Sequence, residues 1–353
     1  MNIEKELLSP FWEGNTVYDE SVLFLSESGK TPNAPLFFRP VEILRVCSSD
    51  YATEYVRGVD WEEKDGMLYL PEGSAIPYMK REQLHFYSEA TQDFFKAKDG
   101  GKILYKTKGF FHKQQTLVTY RHRDQWAPSG SVLGARALEK FREKVARKET
   151  ITLCFYGDSI TAGCDCSKLA GVAPFRESWP TLVTEALEQE SGCRIRYVNT
   201  AVGGKRAGWG LECVQERVVA YDPDLVVLAF GMNDGTDLIS PEVFRSQILD
   251  MKQAVLERNP NAEFVLIATT VANPESIFDG CQREYLPELI RCMDQGDVLV
   301  NMTQVHDTLL TKKRFVDMTG NNINHPNDFL IRVYAQMVLH TIHKAMNRGD
   351  GEQ

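Results

Sequence analysis

The rhythm of hydrophobic and polar positions changes near residue 126. Before it, short runs rich in aromatic and β-branched residues alternate with turn chemistry. Thr16 to Leu25, Leu36 to Val46 (one strand, or two broken at Pro40), Met67 to Leu70, Lys102 to Tyr105 and Gln115 to Tyr120 read as strands. Lys64-Asp65-Gly66 and Asp99-Gly100-Gly101 mark turns between them. Helical periodicities are few, so residues 1–125 are expected to form an all-β sandwich of antiparallel strands.

Gln125 to Gly130 reads as a boundary loop. Ala135, Leu138, Phe141 and Val145 mark one helical face in a charged segment, so 126–149 is expected to be a linker and helix. From residue 150 onward strands and helices alternate. The strands are Ile151 to Tyr156, Ile195 to Asn199, Leu225 to Phe230, Phe264 to Thr269 and Asp297 to Asn301. Between and after them, helices are expected near 179–190, 211–219, 241–258, 283–293 and 329–347. The run Leu225 to Phe230 is almost wholly apolar, as a strand covered on both faces should be. The alternation implies a parallel, doubly wound sheet in residues 150–353.

Composition narrows the function classes. With 353 residues, 43% hydrophobic and 25% charged, the chain has the make-up of a globular protein with room for two domains. A net charge of −9 and no basic stripe argue against a nucleic-acid partner. No run is long enough for a membrane span, and no signal peptide is visible at Met1 to Glu6, so a cytoplasmic setting with reduced thiols is expected for the eight cysteines. Cys164-x-Cys166 is the only close pair. None of the seven histidines lies within thirty residues of it, so neither a metal nor a cofactor is expected.

Chemistry-bearing residues gather at the predicted strand ends. Gly157-Asp158-Ser159 follows the first strand, Asn199 to Gly204 the second, and Gly231-Met232-Asn233-Asp234 the third. Asn321-Asn322-Ile323-Asn324-His325-Pro326 precedes the last helix. In a parallel sheet these can converge on one edge, where ligands bind. Taken in order, Gly-Asp-Ser with Ser159, a glycine at 204, Gly-x-Asn-Asp with Asn233 and a late His-Pro with His325 resemble the four blocks of the SGNH, or GDSL-type, hydrolase superfamily. The resemblance covers about 150–347. It implies a three-layer, flavodoxin-like sheet, serine esterase activity and no cofactor. A β-sandwich (jelly-roll-like) ahead of such a domain is similar in architecture to some carbohydrate acetyl esterases.

The residues suit that chemistry. A serine hydroxyl is a weak nucleophile without a base, and His325 can serve as one. Attack on an ester creates an oxyanion, for which the Ser159 and Gly204 N–H groups and the Asn233 amide would be donors. Asp158 and Asp234 read as loop-holding groups, and Trp209 as pocket lining or packing. His306, His340 and His343 read as loop or capping histidines. One position departs from the superfamily's pattern: the residue three before the histidine is Asn322, not aspartate. Three arrangements follow. His325 is oriented by Asn322 or a backbone carbonyl; or a carboxylate reaches in, Asp317 and Asp328 being nearest in sequence; or the site is weak or inactive. The first is the expectation.

The expected function is removal of acetyl or another short acyl group, with a small-molecule or oligosaccharide ester as partner. A lipase, thioesterase or acyltransferase, or a glycan-binding protein with a silent hydrolase domain, are the alternatives. The polar Lys205-Arg206 after Gly204 argues against a long-chain lipase. A homodimer through the N-terminal sandwich is left open.

Overall fold

Strand Ile151–Gly157 lies inside a six-stranded sheet of order Ser131–Leu133, Val298–Asn301, Glu263–Ala268, Leu225–Ala229, Ile151–Gly157, Ile195–Asn199. The computed structural model describes residues 7–89 and 93–348. Five strands are parallel and run in chain order 2-1-3-4-5, the flavodoxin-like order. Its switch point falls between Ile151–Gly157 and Leu225–Ala229, which pair in parallel from Leu153↔Leu225 to Gly157↔Ala229. The sixth strand, Ser131–Leu133, comes from the stretch expected to link the two parts and adds antiparallel to one edge. The helix of that stretch is shorter than the charged segment suggests, Glu139–Ala146.

Alternation along the strands divides the sheet into two buried faces. Ile151, Leu153 and Phe155 join Leu225, Val227, Val265 and Val298 in one cluster. Cys154 and Tyr156 join Val226, Leu228, Phe264 and Leu299 in the other. Helices Trp179–Ser191 and Asp328–Asn347 cover the first face, and Ala207–Arg217, Pro241–Arg258 and Tyr285–Arg291 the second. Helix Met302–Leu310 was not expected. Its N-cap, Asn301, is also the last strand residue, so no loop announces it.

The part before residue 126 is built on three small sheets. Thr116–His122 lies between Thr16–Val22 and Pro40–Ser48, all antiparallel. Five short strands follow the order Glu62–Lys64, Met67–Tyr69, Asn33–Pro35, Phe24–Ser26, Tyr78–Lys80. A third sheet orders His85–Phe86, Lys102–Leu104 and Phe94–Lys96. Phe11, Phe37, Phe38, Val118 and Tyr120 share one hydrophobic cluster with Phe329, Val333 and the central strands. Helix Asp328–Asn347 is therefore apolar on nearly every side, with the sheet against it and the N-terminal part also packed on it. No helix among the described residues is long and apolar enough to cross a membrane.

Candidate active site

The first strand ends at Gly157, where a Cβ would come within 2.4 Å of the Ala229 carbonyl. Only glycine fits this approach of two strands. Asp158 then caps the four-residue helix Ser159–Ala162, its Oδ1 accepting the Ile160 N–H at 3.0 Å. This turn sets Ser159 at the carboxyl edge of the sheet, 4% exposed.

His325 reaches Ser159 from a loop wound around one side chain. Asn321 Oδ1 accepts the N–H groups of Ile323, Asn324 and His325 at 2.9, 3.0 and 3.1 Å. The His325 carbonyl accepts from Gly320 N and Thr319 Oγ1, both at 2.9 Å. His325 Nδ1 lies 2.6 Å from Asp165 Oδ2, and Nε2 lies 2.9 Å from Ser159 Oγ. A carboxylate only accepts, so Nδ1 carries the proton and Nε2 is free to accept from the serine hydroxyl. The arrangement is a continuous Asp165–His325–Ser159 chain, with the Asp165 and His325 side chains 8% and 16% exposed.

The other predicted residues follow the neighbouring strands Ile195–Asn199 and Leu225–Ala229. Gly203 packs on Ser159, an added Cβ lying 3.6 Å from that of the serine, and Gly204 follows at φ +72°. Asn233 Nδ2 donates to the Lys205 carbonyl at 3.0 Å, and Asp234 Oδ1 accepts the Ala207 N–H at 2.9 Å. The Gly-x-Asn-Asp turn thereby fixes the glycine loop. Asp158 and Asp234 are both buried, and desolvation pushes their carboxyls up to about 7 and about 6. Trp209 packs beside Tyr156, with Lys205 and Arg217 over its ring.

The expected partner of His325 is corrected. Asn322 faces away from it: its Nδ2 donates to the Leu104 carbonyl at 3.1 Å, and its Oδ1 accepts from Asn273 Nδ2 at 3.3 Å. Its φ of +66° is a left-handed position that asparagine tolerates. The two carboxylates nearest in sequence are also committed elsewhere. Asp317 accepts from Leu23 N and Arg314 N, each at 2.8 Å, and Asp328 accepts from Ser167 N at 2.9 Å. Asp165, six residues past Ser159, takes the place. Sequence spacing gave no sign of it beyond its position just after the Gly157-Asp158-Ser159 turn, between the two cysteines.

The three histidines read as loop or capping groups do not enter the site. His306 is buried, its Nδ1 accepting from Val271 N, and burial pushes it down to about 3. His340 and His343 face Glu13 and Glu190. Among the described residues, no group of three or more His, Cys, Asp or Glu side chains is placed to hold a metal. A cavity of about 400 Å³ lined by Arg81, Asn273, Glu275 and Arg314 meets the His325 loop at Asn322, and neither Ser159 nor His325 lines it.

Residues 155–328 match the model of the GDSL-like Lipase/Acylhydrolase family. That part of the chain has the fold of SGNH, GDSL-type esterases. An arylesterase of Vibrio mimicus is 30% identical over 115 residues, 33% of this chain and 54% of that protein. A crystal structure of a two-domain esterase active on acetylated mannans superposes with a TM-score of 0.52 at 19% identity, covering 64% of this chain and 57% of that one. The same kind of esterase, co-crystallised with mannopentaose, gives a TM-score of 0.50 at 17% identity over 62% and 58%. The chain thus spans little more than half the length of these relatives. Within the SGNH fold, Ser159, Gly204, Asn233 and His325 stand on the edge where the strand order reverses.

Proposed function

We propose that the protein is a serine esterase that removes acetyl or other short acyl groups from a carbohydrate. One observation carries this reading: the unbroken Asp165–His325–Ser159 chain at 2.6 and 2.9 Å. Ser159 Oγ attacks the ester carbonyl carbon while its proton passes to His325 Nε2. Charge gathers on the carbonyl oxygen, where the Ser159 and Gly204 N–H groups and the Asn233 amide are its donors. As the intermediate collapses, the alcohol leaves with the proton from Nε2. Water, activated by the same nitrogen, then frees the acid and regenerates the serine. Asp165 holds the imidazole in the right tautomer and stabilises its charged form.

The relative active on acetylated mannans supports a sugar ester as the substrate class. The carboxylate behind His325 favours a working hydrolase over a silent glycan binder. The eight free cysteines suit a reducing compartment and hence an oligosaccharide ester small enough to be imported. The test is acetate release from acetylated mannan, acetylated xylan and their oligosaccharides, beside p-nitrophenyl esters of increasing chain length. Wild-type protein should release acetate and favour the shortest acyl groups, and Ser159→Ala should lose more than about 10³-fold in turnover. Full activity in Ser159→Ala, or no acyl release from any ester, would overturn the proposal.

A further inference from the structure

Asp165 holds an unfavourable backbone position, and the N-terminal part holds it there. Its φ is +61°, in the left-handed region that most residues bearing a Cβ avoid and that aspartate adopts at some cost. Two neighbours pin it. On one side lies Gly320, where a Cβ would come within 2.7 Å of the Asp165 Cβ, so only glycine leaves room. On the other, the Asp165 carbonyl lies 2.8 Å from His112 Nε2. A carbonyl oxygen has no proton to give, so the ring presents Nε2–H to it. His112 is 3% exposed and belongs to the short helix Phe110–Gln114. Its own carbonyl accepts from Ser49 Oγ at 2.5 Å, which ties it to the N-terminal sheets.

We infer that His112 is a positioning residue for Asp165, so that the N-terminal part completes the active site. It touches no reacting atom and acts through the backbone of the residue whose carboxylate meets His325 Nδ1. Without that donor the loop can leave the left-handed position and swing the carboxylate off the imidazole. Adjacent contacts serve the same end on the base loop. Gln115 Nε2 donates to the Val316 and Thr319 carbonyls at 3.0 and 2.9 Å, and the Leu104 carbonyl accepts from Asn322. The inference rests on the esterase reading for its kinetic consequence but not for its geometry.

Three variants test it in the full chain. His112→Phe keeps the ring's bulk without a donor, His112→Asn keeps an amide that stops short, and His112→Gln carries an N–H at the reach of Nε2. The readouts are kcat and KM with an activated acetate ester, and the far-downfield proton resonance of the short Nδ1–H to Asp165 bond. In His112→Phe and His112→Asn, kcat should fall roughly ten- to a hundredfold with KM within about twofold, and the resonance should shift or vanish. His112→Gln should keep both. If His112→Phe does not fold, the smaller asparagine carries the comparison. Wild-type kcat and resonance in the variants lacking the donor, or a glutamine variant as impaired as phenylalanine, would overturn the inference. The resonance is read without turnover. A wild-type protein that shows it, and whose Ser159 takes no acyl group, therefore defeats the esterase reading and leaves the role of His112 to be judged on the resonance.

Discussion

Ser159 stands next to a carboxylate that is not part of its relay. Asp158 Oδ1 caps the helix of Ser159, while its Oδ2 is buried without a hydrogen-bond partner among the described residues. Burial raises its carboxyl from 3.8 to about 7, and the charge of Asp234 adds to the rise against the Ile160 N–H bond, which lowers it. The native state therefore holds this proton more tightly than the unfolded chain. The associated stability is fully present below about pH 4, is lost as the pH rises toward 7, and stays lost above. Asp158→Asn keeps the cap and cannot ionise. Its stability relative to wild type, followed by thermal melting, should rise by about 4 kcal/mol between about pH 4 and 7 and then level off. A difference that does not change with pH would show that Asp158 stays charged. At this scale the sequence made Ser159 and His325 legible, because each sits at a strand or helix boundary. Asp165 was not, because a residue in a tight loop at positive φ has no periodicity to mark it.

Among the elements, the last helix and the loop before it place His325. Asn327 caps that helix, with Oδ1 accepting from Leu330 N at 3.1 Å. Its Nδ2 donates to Ser21 Oγ, Gln115 Oε1 and the Asp317 carbonyl at 2.9, 2.9 and 3.0 Å. One side chain so joins the helix start, the His325 loop and the N-terminal sheets. Asn327→Asp preserves the cap but turns the donor into an oxygen aimed at the Gln115 Oε1 and Asp317 carbonyl oxygens. It should lower the unfolding free energy by about 3 kcal/mol in a denaturant titration. An unchanged midpoint would mean that Asn327 serves the helix alone. The strands of the parallel sheet were readable because burial on both faces makes them apolar throughout. The N-terminal sheets were readable only as a tendency, since many of their strands are three residues long and pair across large sequence gaps.

Over the whole molecule the two parts share one core, and they also share a fully buried ion pair, Lys313 Nζ to Glu20 Oε1 at 2.6 Å. Lys313 also donates to the Ser21 carbonyl at 2.9 Å, so the pair sits in a satisfied polar network between the parts. Nothing in the local pattern foretold this, because a contact between residues 20 and 313 leaves no mark on either segment. The same distance separated the third member of the relay from view: the four blocks implied a partner for His325 three residues upstream, and the fold supplies one 160 residues away. The proposed relay depends on that partner, Asp165. Its most direct test is the pre-steady-state acylation of Ser159 by p-nitrophenyl acetate in wild type, Asp165→Asn and Asn322→Asp. The wild type should show a burst of nitrophenol stoichiometric with enzyme, and Asp165→Asn should slow it by about 10⁴. Asn322→Asp should bring no gain. A burst in Asp165→Asn as fast as in wild type, or a large gain from Asn322→Asp, would contradict the account.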